Sequence, residues 1–364
     1  ITKDGATYRT TDEPFLEFDN LEMHPTDVLE DADGSLLVVN TGGWFIAGCP
    51  LSVTAKTEVQ GSIMRIRKTD APETSNPRGM DIPFETLSVE ALTAYLTDRR
   101  PVVRDKAGER MIVLGEGAVK SFAEILRSSD EEERRAMAVF ALYRIGSSEA
   151  LAAIVSALDD AGSVVRTAAA RALGLAKHEP AVAALCCRLS DSSLSVRRQS
   201  ATALGQIGNP SAVAPLLKSA SQKGDRFVEH AIIFSLIQLG QSDVLVEALT
   251  DDNRQVRRVA LIAIDQMAGK AIKKSDVVPF VNSDDSVLHA TGIWVLMNHT
   301  EWSDVVATYL RNQFQNKTMT AAAEKTVTDL LTVFGAQQEI RSLVFSLLRD
   351  AAISDDRKRL LLDN

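Results

Sequence analysis

Aromatic residues are scarce in this chain. Phe, Trp and Tyr make up 5% of it, which argues against a sheet-rich enzyme and suits stacked helices of Ala, Leu and Val. Cysteine is nearly absent: Cys49, Cys186 and Cys187 are all there is. No Cys-x-x-Cys or Cys-x-x-Cys-His occurs, so neither a zinc ribbon nor a c-type haem attachment is encoded. The adjacent Cys186 and Cys187 lie in an apolar helical stretch, Ala181 to Leu189, and are expected to be buried and reduced. The five histidines (His24, His178, His230, His289 and His299) never stand at metal-ligand spacing, and no His-Glu-x-x-His is present. No apolar run reaches the roughly 18 residues of a membrane-spanning helix. A formal charge of −9 disfavours the broad basic face that nucleic-acid phosphates require. No signal peptide is visible. Ile1 is not a natural start, and Asp355-Asp356 opens a new helical pattern near the end. The expectation is an internal or C-terminal piece of a longer protein.

Apolar residues at 45% and charged residues at 24% are a globular balance. What fills the chain is a repeat, clearest from Ser190 to Leu217. Asp191 is placed to cap a helix. Val196, Ser200, Ala203, Leu204 and Ile207 recur at three- and four-residue steps and give that helix an apolar or small face. Gly205 and Gly208 sit where it should stop. Asn209-Pro210 turns the chain, and a second helix, from about Ser211 to Ser219, points Val213, Leu216 and Leu217 inward. The unit recurs upstream at Asp160, Arg135 and Asp98, and downstream at Phe227, Asp251 and, degenerately, Asp285. Helix one starts near Ser88. The pattern loosens at the irregular insertion Ala268 to Lys274, and Thr326 to Phe334 with Ile340 to Leu348 form a final pair. No single unit of this size buries its apolar face, so neighbours must stack.

Aspartate and arginine keep one spacing at Asp98/Arg104, Asp160/Arg166, Asp191/Arg197 and Asp251/Arg257. The pattern Asp…Val-Arg-x-x-Ala…Leu-Gly-x-Ile-Gly resembles the HEAT family, in its short lyase-type form, from about Leu87 to Leu348. The resemblance implies a mainly α fold, a right-handed α–α solenoid of HEAT-like repeats over residues 87–364. It implies protein partners and names no chemistry.

Residues 1–70 do not fit the repeat. Ala6 to Thr11, Phe15 to Phe18, Thr26 to Leu29, Ser35 to Asn40 and Ser62 to Arg67 are short β-prone runs, enough for one small antiparallel sheet. Asp31-Ala32-Asp33-Gly34 is a hairpin turn between two of them. It is no EF-hand loop, because position twelve is Gly42. The runs His24 to Leu29, Asp33 to Asn40, Thr41-Gly42-Gly43-Trp44-Phe45, Gly48-Cys49-Pro50 and Gly61 to Arg67 resemble the closing blade of a glucose/sorbosone dehydrogenase-like β-propeller. The large membrane-bound dehydrogenase proteins of planctomycete-like bacteria combine such a propeller with HEAT repeats. That resemblance implies a periplasmic or otherwise extracytoplasmic protein. Residues 71–86, within a stretch carrying Pro72, Pro77 and Pro83, read as a linker.

No catalytic residue, cofactor site or metal site is assigned. Arg104, Arg166, Arg197 and Arg257 read as a structural ladder, each meeting an aspartate of its own or the next unit; the functional alternative is a basic stripe for an acidic or phosphate ligand. Trp44 and Phe45 either pack between domains or face a partner. If the protein is exported, Cys49 has the option of pairing with a cysteine of the missing propeller. Trp294 and Trp302 either fill a helix junction or anchor a partner. The functional expectation is a non-catalytic scaffold for a protein partner. The alternative is the docking segment of a sugar or alcohol oxidoreductase. A bilin lyase is a third reading, against which the N-terminal sheet argues.

Overall fold

A computed structural model describes residues 1–19, 23–42, 60–269, 272–316 and 318–362. Trp44, Phe45 and Cys49, and Lys270 and Ala271 of the expected insertion, lie outside the described residues. The chain forms two compact units, Ile1–Asp4 with Tyr8–Ala172, and Gly5–Thr7 with Leu173–Asn364.

At the N-terminus, β1 (Thr2–Asp4) pairs with β2 (Thr7–Arg9). Separately, β3 (Pro25–Glu30), β4 (Leu36–Asn40) and β5 (Ser62–Ile66) form a three-stranded antiparallel sheet with β4 central. Phe15 to Phe18 is not a strand, and the expected single sheet is two. Phe15 and Leu16 are exposed, next to Pro14, and among the described residues no strand pairs with them. The β3–β4 turn forms as the sequence dictates. Gly34 has φ +78°, which glycine adopts without a Cβ clash, and its N–H donates to the Asp31 carbonyl at 2.8 Å. Both turn aspartates are held by cations: Arg65 reaches Asp31 at 2.7 Å, Arg78 also pairs with Asp31, and Arg67 pairs with Asp33. The Arg78 carbonyl accepts from Lys106 Nζ at 2.7 Å, so the connector is tied both to the sheet and to the helices after it.

Those helices are α1 (Val89–Tyr95), α2 (Pro101–Leu114), α3 (Glu116–Ser128), α4 (Glu132–Ile145), α5 (Ser148–Ser156) and α6 (Ser163–Leu175). Ser88 caps α1 by accepting from the Ala91 amide at 3.3 Å. Leu92, Met111, Phe122, Leu142 and Ile154 are fully buried. Each such side chain contributes roughly 1.5–3 kcal/mol relative to exposure.

The second unit carries α7 (Val182–Arg188), α8 (Leu194–Ile207), α9 (Val213–Ala220), α10 (Arg226–Leu239), α11 (Ser242–Ala248), α12 (Arg254–Gln266), α13 (Lys274–Val281), α14 (Ser286–Met297), α15 (Ser303–Gln315), α16 (Ala321–Phe334), α17 (Gln338–Arg349) and α18 (Asp355–Leu362). Even-numbered helices pack on one another in series, α8 on α10, α10 on α12, α12 on α14 and α14 on α16. Each of α8, α12 and α14 also packs on the helix that precedes it. This is the stacked-pair architecture that the repeat implies, with a small antiparallel sheet component at the N-terminus.

Local details depart from expectation. Asp191 does not cap α8: the N-cap is Ser193, and Asp191 accepts from the Ser193 amide at 2.8 Å, setting the turn one step earlier. Gly205 does not stop α8 but lies inside it. A Cβ there would stand 2.7 Å from Ser235 Oγ of α10, so the absent side chain is what lets the two helices approach. Gly208 is the stop, at φ +81° with its N–H on the Leu204 carbonyl. Cys186 is half-buried and Cys187 is exposed. Leu185 and Leu189 point inward, and a residue two positions from each lies on the opposite side of the helix.

Candidate functional site

The repeating arginines stand in the first turn or so of the even-numbered helices, where loop carbonyls and the next unit's loop come within reach. Arg135, in α4, shows the complete arrangement. Its Nη1 donates to the Ser129 carbonyl at 2.8 Å, while Nε and Nη2 grip Asp160 at 2.9 and 2.8 Å. This is a two-point fork on a carboxylate, the strong form of the interaction. Burial pushes the Asp160 carboxyl pKa up, but the Arg135 fork and the Gly162 amide outweigh it and hold the group below its usual value. Asp160 therefore serves the arginine of the preceding unit.

Toward its own repeat Asp160 offers its backbone. Arg166 Nη1 donates to the Asp160 carbonyl at 2.8 Å, as Arg104 Nη1 does to the Asp98 carbonyl at 2.8 Å. The Asp98 carboxylate is taken by Arg100 at 2.9 and 2.8 Å. That bond holds the carboxyl down at about 2, against the opposing effect of burial. At Asp98/Arg104 and Asp160/Arg166 the fixed spacing thus places a side-chain-to-carbonyl bond within the repeat, while the Arg135–Asp160 fork runs between repeats. Asp191 and Asp251 turn one carboxylate oxygen to the amides of Ser193 and Asn253. Arg257 has a buried Nε with no partner. Arg197 donates Nη1 to the Lys223 carbonyl at 2.6 Å, and its Nε and Nη2 are buried without partners.

The two described tryptophans have different fates. Trp302 is 9% exposed, and its indole stacks on His299 at 3.9 Å. His299 lies between Asp265 at 2.7 Å and Glu301 at 2.9 Å. Trp302 is core and offers a partner nothing. Trp294, on α14, is 42% exposed. It stands nine residues after its helix's N-cap Asp285. Phe234 stands at the same place after Asp225 on α10, and Ile262 after Asn253 on α12. Phe234 is 49% exposed and Ile262 half-buried. Three adjacent helices thus carry an apolar side chain at one equivalent, outward position. Sequence reasoning missed Phe234 and Ile262; counting from each helix cap, rather than matching residue types between repeats, exposes the row. Among the described residues, no three His, Cys, Asp or Glu side chains converge where a metal ion would sit. Among them, too, no helix is long and apolar enough to cross a membrane.

The HEAT repeats family matches residues 119–193, 164–237 and 184–265. No curated protein matches the sequence. Among solved structures, the chain is similar to one from the complex of CpcE and CpcF of phycocyanin lyase from Nostoc sp. PCC7120. Identity is 19%, coverage is 73% of this chain and 99% of that one, and the TM-score is 0.37. An engineered protein matches at 20% identity over 75% of this chain and 87% of its own, with TM-score 0.33. Human deoxyhypusine hydroxylase in complex with glycerol matches at 19% over 69% and 96%, with TM-score 0.30. Residues 119–265 of the helical array are HEAT-like repeats by the match to that family.

Proposed function

We propose that this chain is a non-catalytic scaffold that docks a protein partner on the outward faces of its repeat helices. The observation that carries the reading is the row Phe234, Ile262 and Trp294 on α10, α12 and α14. Large apolar side chains left at one equivalent position of successive repeats keep apolar surface in water, and a partner that covers them removes that cost. Aromatic anchors of this kind dominate the energetics of protein interfaces. The test uses the full chain as bait, with bound proteins identified by mass spectrometry and remeasured with purified partner. Phe234→Ala and Trp294→Ala should each weaken binding by about 2 kcal/mol, on the order of 30-fold. Unchanged affinity in the double variant would sink the reading.

A second reading places the chain as the C-terminal part of a larger propeller–HEAT protein outside the cytoplasm, docking or closing a sugar or alcohol dehydrogenase-like oxidoreductase. It is supported by the three-stranded sheet, which leaves Val28, Leu29 and Ile63 at least half exposed and whose outer strands β3 and β5 are, among the described residues, paired on one side only, as edges that a propeller would protect. Its test is redox turnover of the full-length protein with an artificial acceptor, a panel of aldoses and alcohols, and added quinone and calcium. Turnover lost on deleting upstream blades would support it; no turnover in a folded, cofactor-loaded protein would reject it.

A further inference from the structure

Among the ladder arginines, Arg197 is the one whose Nε and Nη2 are both buried without a partner. Asp160 stands 25 residues after the arginine it serves. The same interval from Arg197 leads to Gln222, and the Gln222 amide is turned to Ser190 Oγ at 2.9 Å. Arg197 is 6% exposed. Only its Nη1 is bonded, which leaves unpaired the Nε/Nη2 edge that Arg135 uses to grip Asp160. Asp225 is near enough for its charge to be felt. Its oxygens, however, are engaged by the amides of Phe227, Val228 and Ala6 at 3.0, 3.0 and 2.7 Å.

Arg197 lines a cleft of about 320 Å³ in the second unit. Gly224 is part of the wall, and a Cβ added there would lie 3.7 Å from Arg197 Nη2. Two carboxylates and three arginines line the cleft. Glu229 is paired with Arg258, and the Arg226 guanidinium lies over the Phe227 ring at 4.7 Å. The balance is one positive charge, which matches a single carboxylate better than a doubly charged phosphate. Gln255 Oε1, in the same cleft, is also buried with no donor.

We infer that the cleft at Arg197 binds a carboxylate from outside the chain, seated on the Nε/Nη2 edge that in Arg135 holds Asp160. Two sources share this chemistry, a free small carboxylic acid and an acidic residue of a peptide. The second also brings an N–H for Gln255 Oε1.

The experiment follows the Arg197 Nε–Hε resonance of the ¹⁵N-labelled full chain, assigned by its absence in Arg197→Gln. Titrants are acetate, acetyl-Gly-Glu-Gly-amide, its glutamine analogue, inorganic phosphate, and potassium chloride at matched ionic strength. The carboxylates should shift the resonance saturably, and the glutamine peptide and chloride should not. Tighter binding of the glutamate peptide than of acetate assigns the site to an acidic peptide; the reverse order assigns it to a small acid. Calorimetry should show Arg197→Gln weakening the bound carboxylate by on the order of 10- to 100-fold. Gly224→Ala keeps every charge and meets only ordinary contacts, so it should fold unchanged and still weaken binding roughly tenfold. No shift with any carboxylate overturns the inference. So does a shift as large with phosphate or chloride, or binding that Gly224→Ala leaves intact.

Discussion

Two arginines at equivalent repeat positions should respond differently to the same substitution. Arg135→Met removes one half of a buried ion pair whose side chains are 13% and 11% exposed. Asp160 then keeps the Gly162 amide at 2.7 Å but loses both guanidinium bonds. Stranding a buried charge in this way costs about 3–5 kcal/mol. Arg197→Met removes a buried guanidinium whose Nε and Nη2 have no partner. The loss is one charge-assisted bond to the Lys223 carbonyl, about 1.5–3 kcal/mol, and the relief of two unsatisfied buried donors is of similar or greater size. A methionine fills much of the space. The expected result for Arg197→Met is therefore no loss, or a gain of up to about 2 kcal/mol, so the two variants differ by at least roughly 3 kcal/mol. Urea unfolding followed by far-ultraviolet circular dichroism gives the global comparison. Repeat arrays unfold in parts, so amide hydrogen exchange over residues 129–162 and 194–224 should accompany it. Equal destabilisation by both substitutions would show that Arg197 is as well paired as Arg135, and would remove the basis for a vacant carboxylate seat.

Three further outcomes are expected. Gly205→Ala should destabilise by about 1–3 kcal/mol, because its methyl would sit 2.7 Å from Ser235 Oγ and force α8 and α10 apart; thermal melts against Gly117→Ala, where space is open, check it. Trp302→Ala should cost about 3–5 kcal/mol, since the stacked indole leaves a cavity, while Trp294→Ala should stay within about 0.5 kcal/mol as an exposed substitution. Asp98, held at about 2 by Arg100 against an ordinary 3.8, should stabilise the fold above pH 3.8 and lose that contribution as the pH falls from 3.8 toward 2. Asp98→Asn should flatten this acid limb of the melting-temperature profile, and an unchanged limb would refute the assignment.

The repeat was legible because each helix needs a small or apolar residue every three or four positions and a break near its end. Ser88, the α8–α9 pair and Gly208 stand where that pattern puts them. Short β-prone runs such as Phe15 to Phe18 become strands only if another strand lies alongside, and that depends on neighbours far along the chain. Trp294 and Trp302 looked alike as aromatics in a degenerate repeat, yet one is exposed and the other stacks on His299 under α12's Asp265.

Local periodicity, caps and turns depend on residues a few positions apart, so the amino-acid order was enough to determine the helical array and the β3–β4 hairpin. Which charges meet depends on how one unit is laid against the next. Only the folded structure shows Arg135 reaching Asp160 across that junction, Gly205 admitting α10, and Arg197 facing Gln222's loop with its guanidinium edge unfilled. Side-chain partners are chosen by distances in space, and the interval along the chain fixes those distances only after the repeats have stacked.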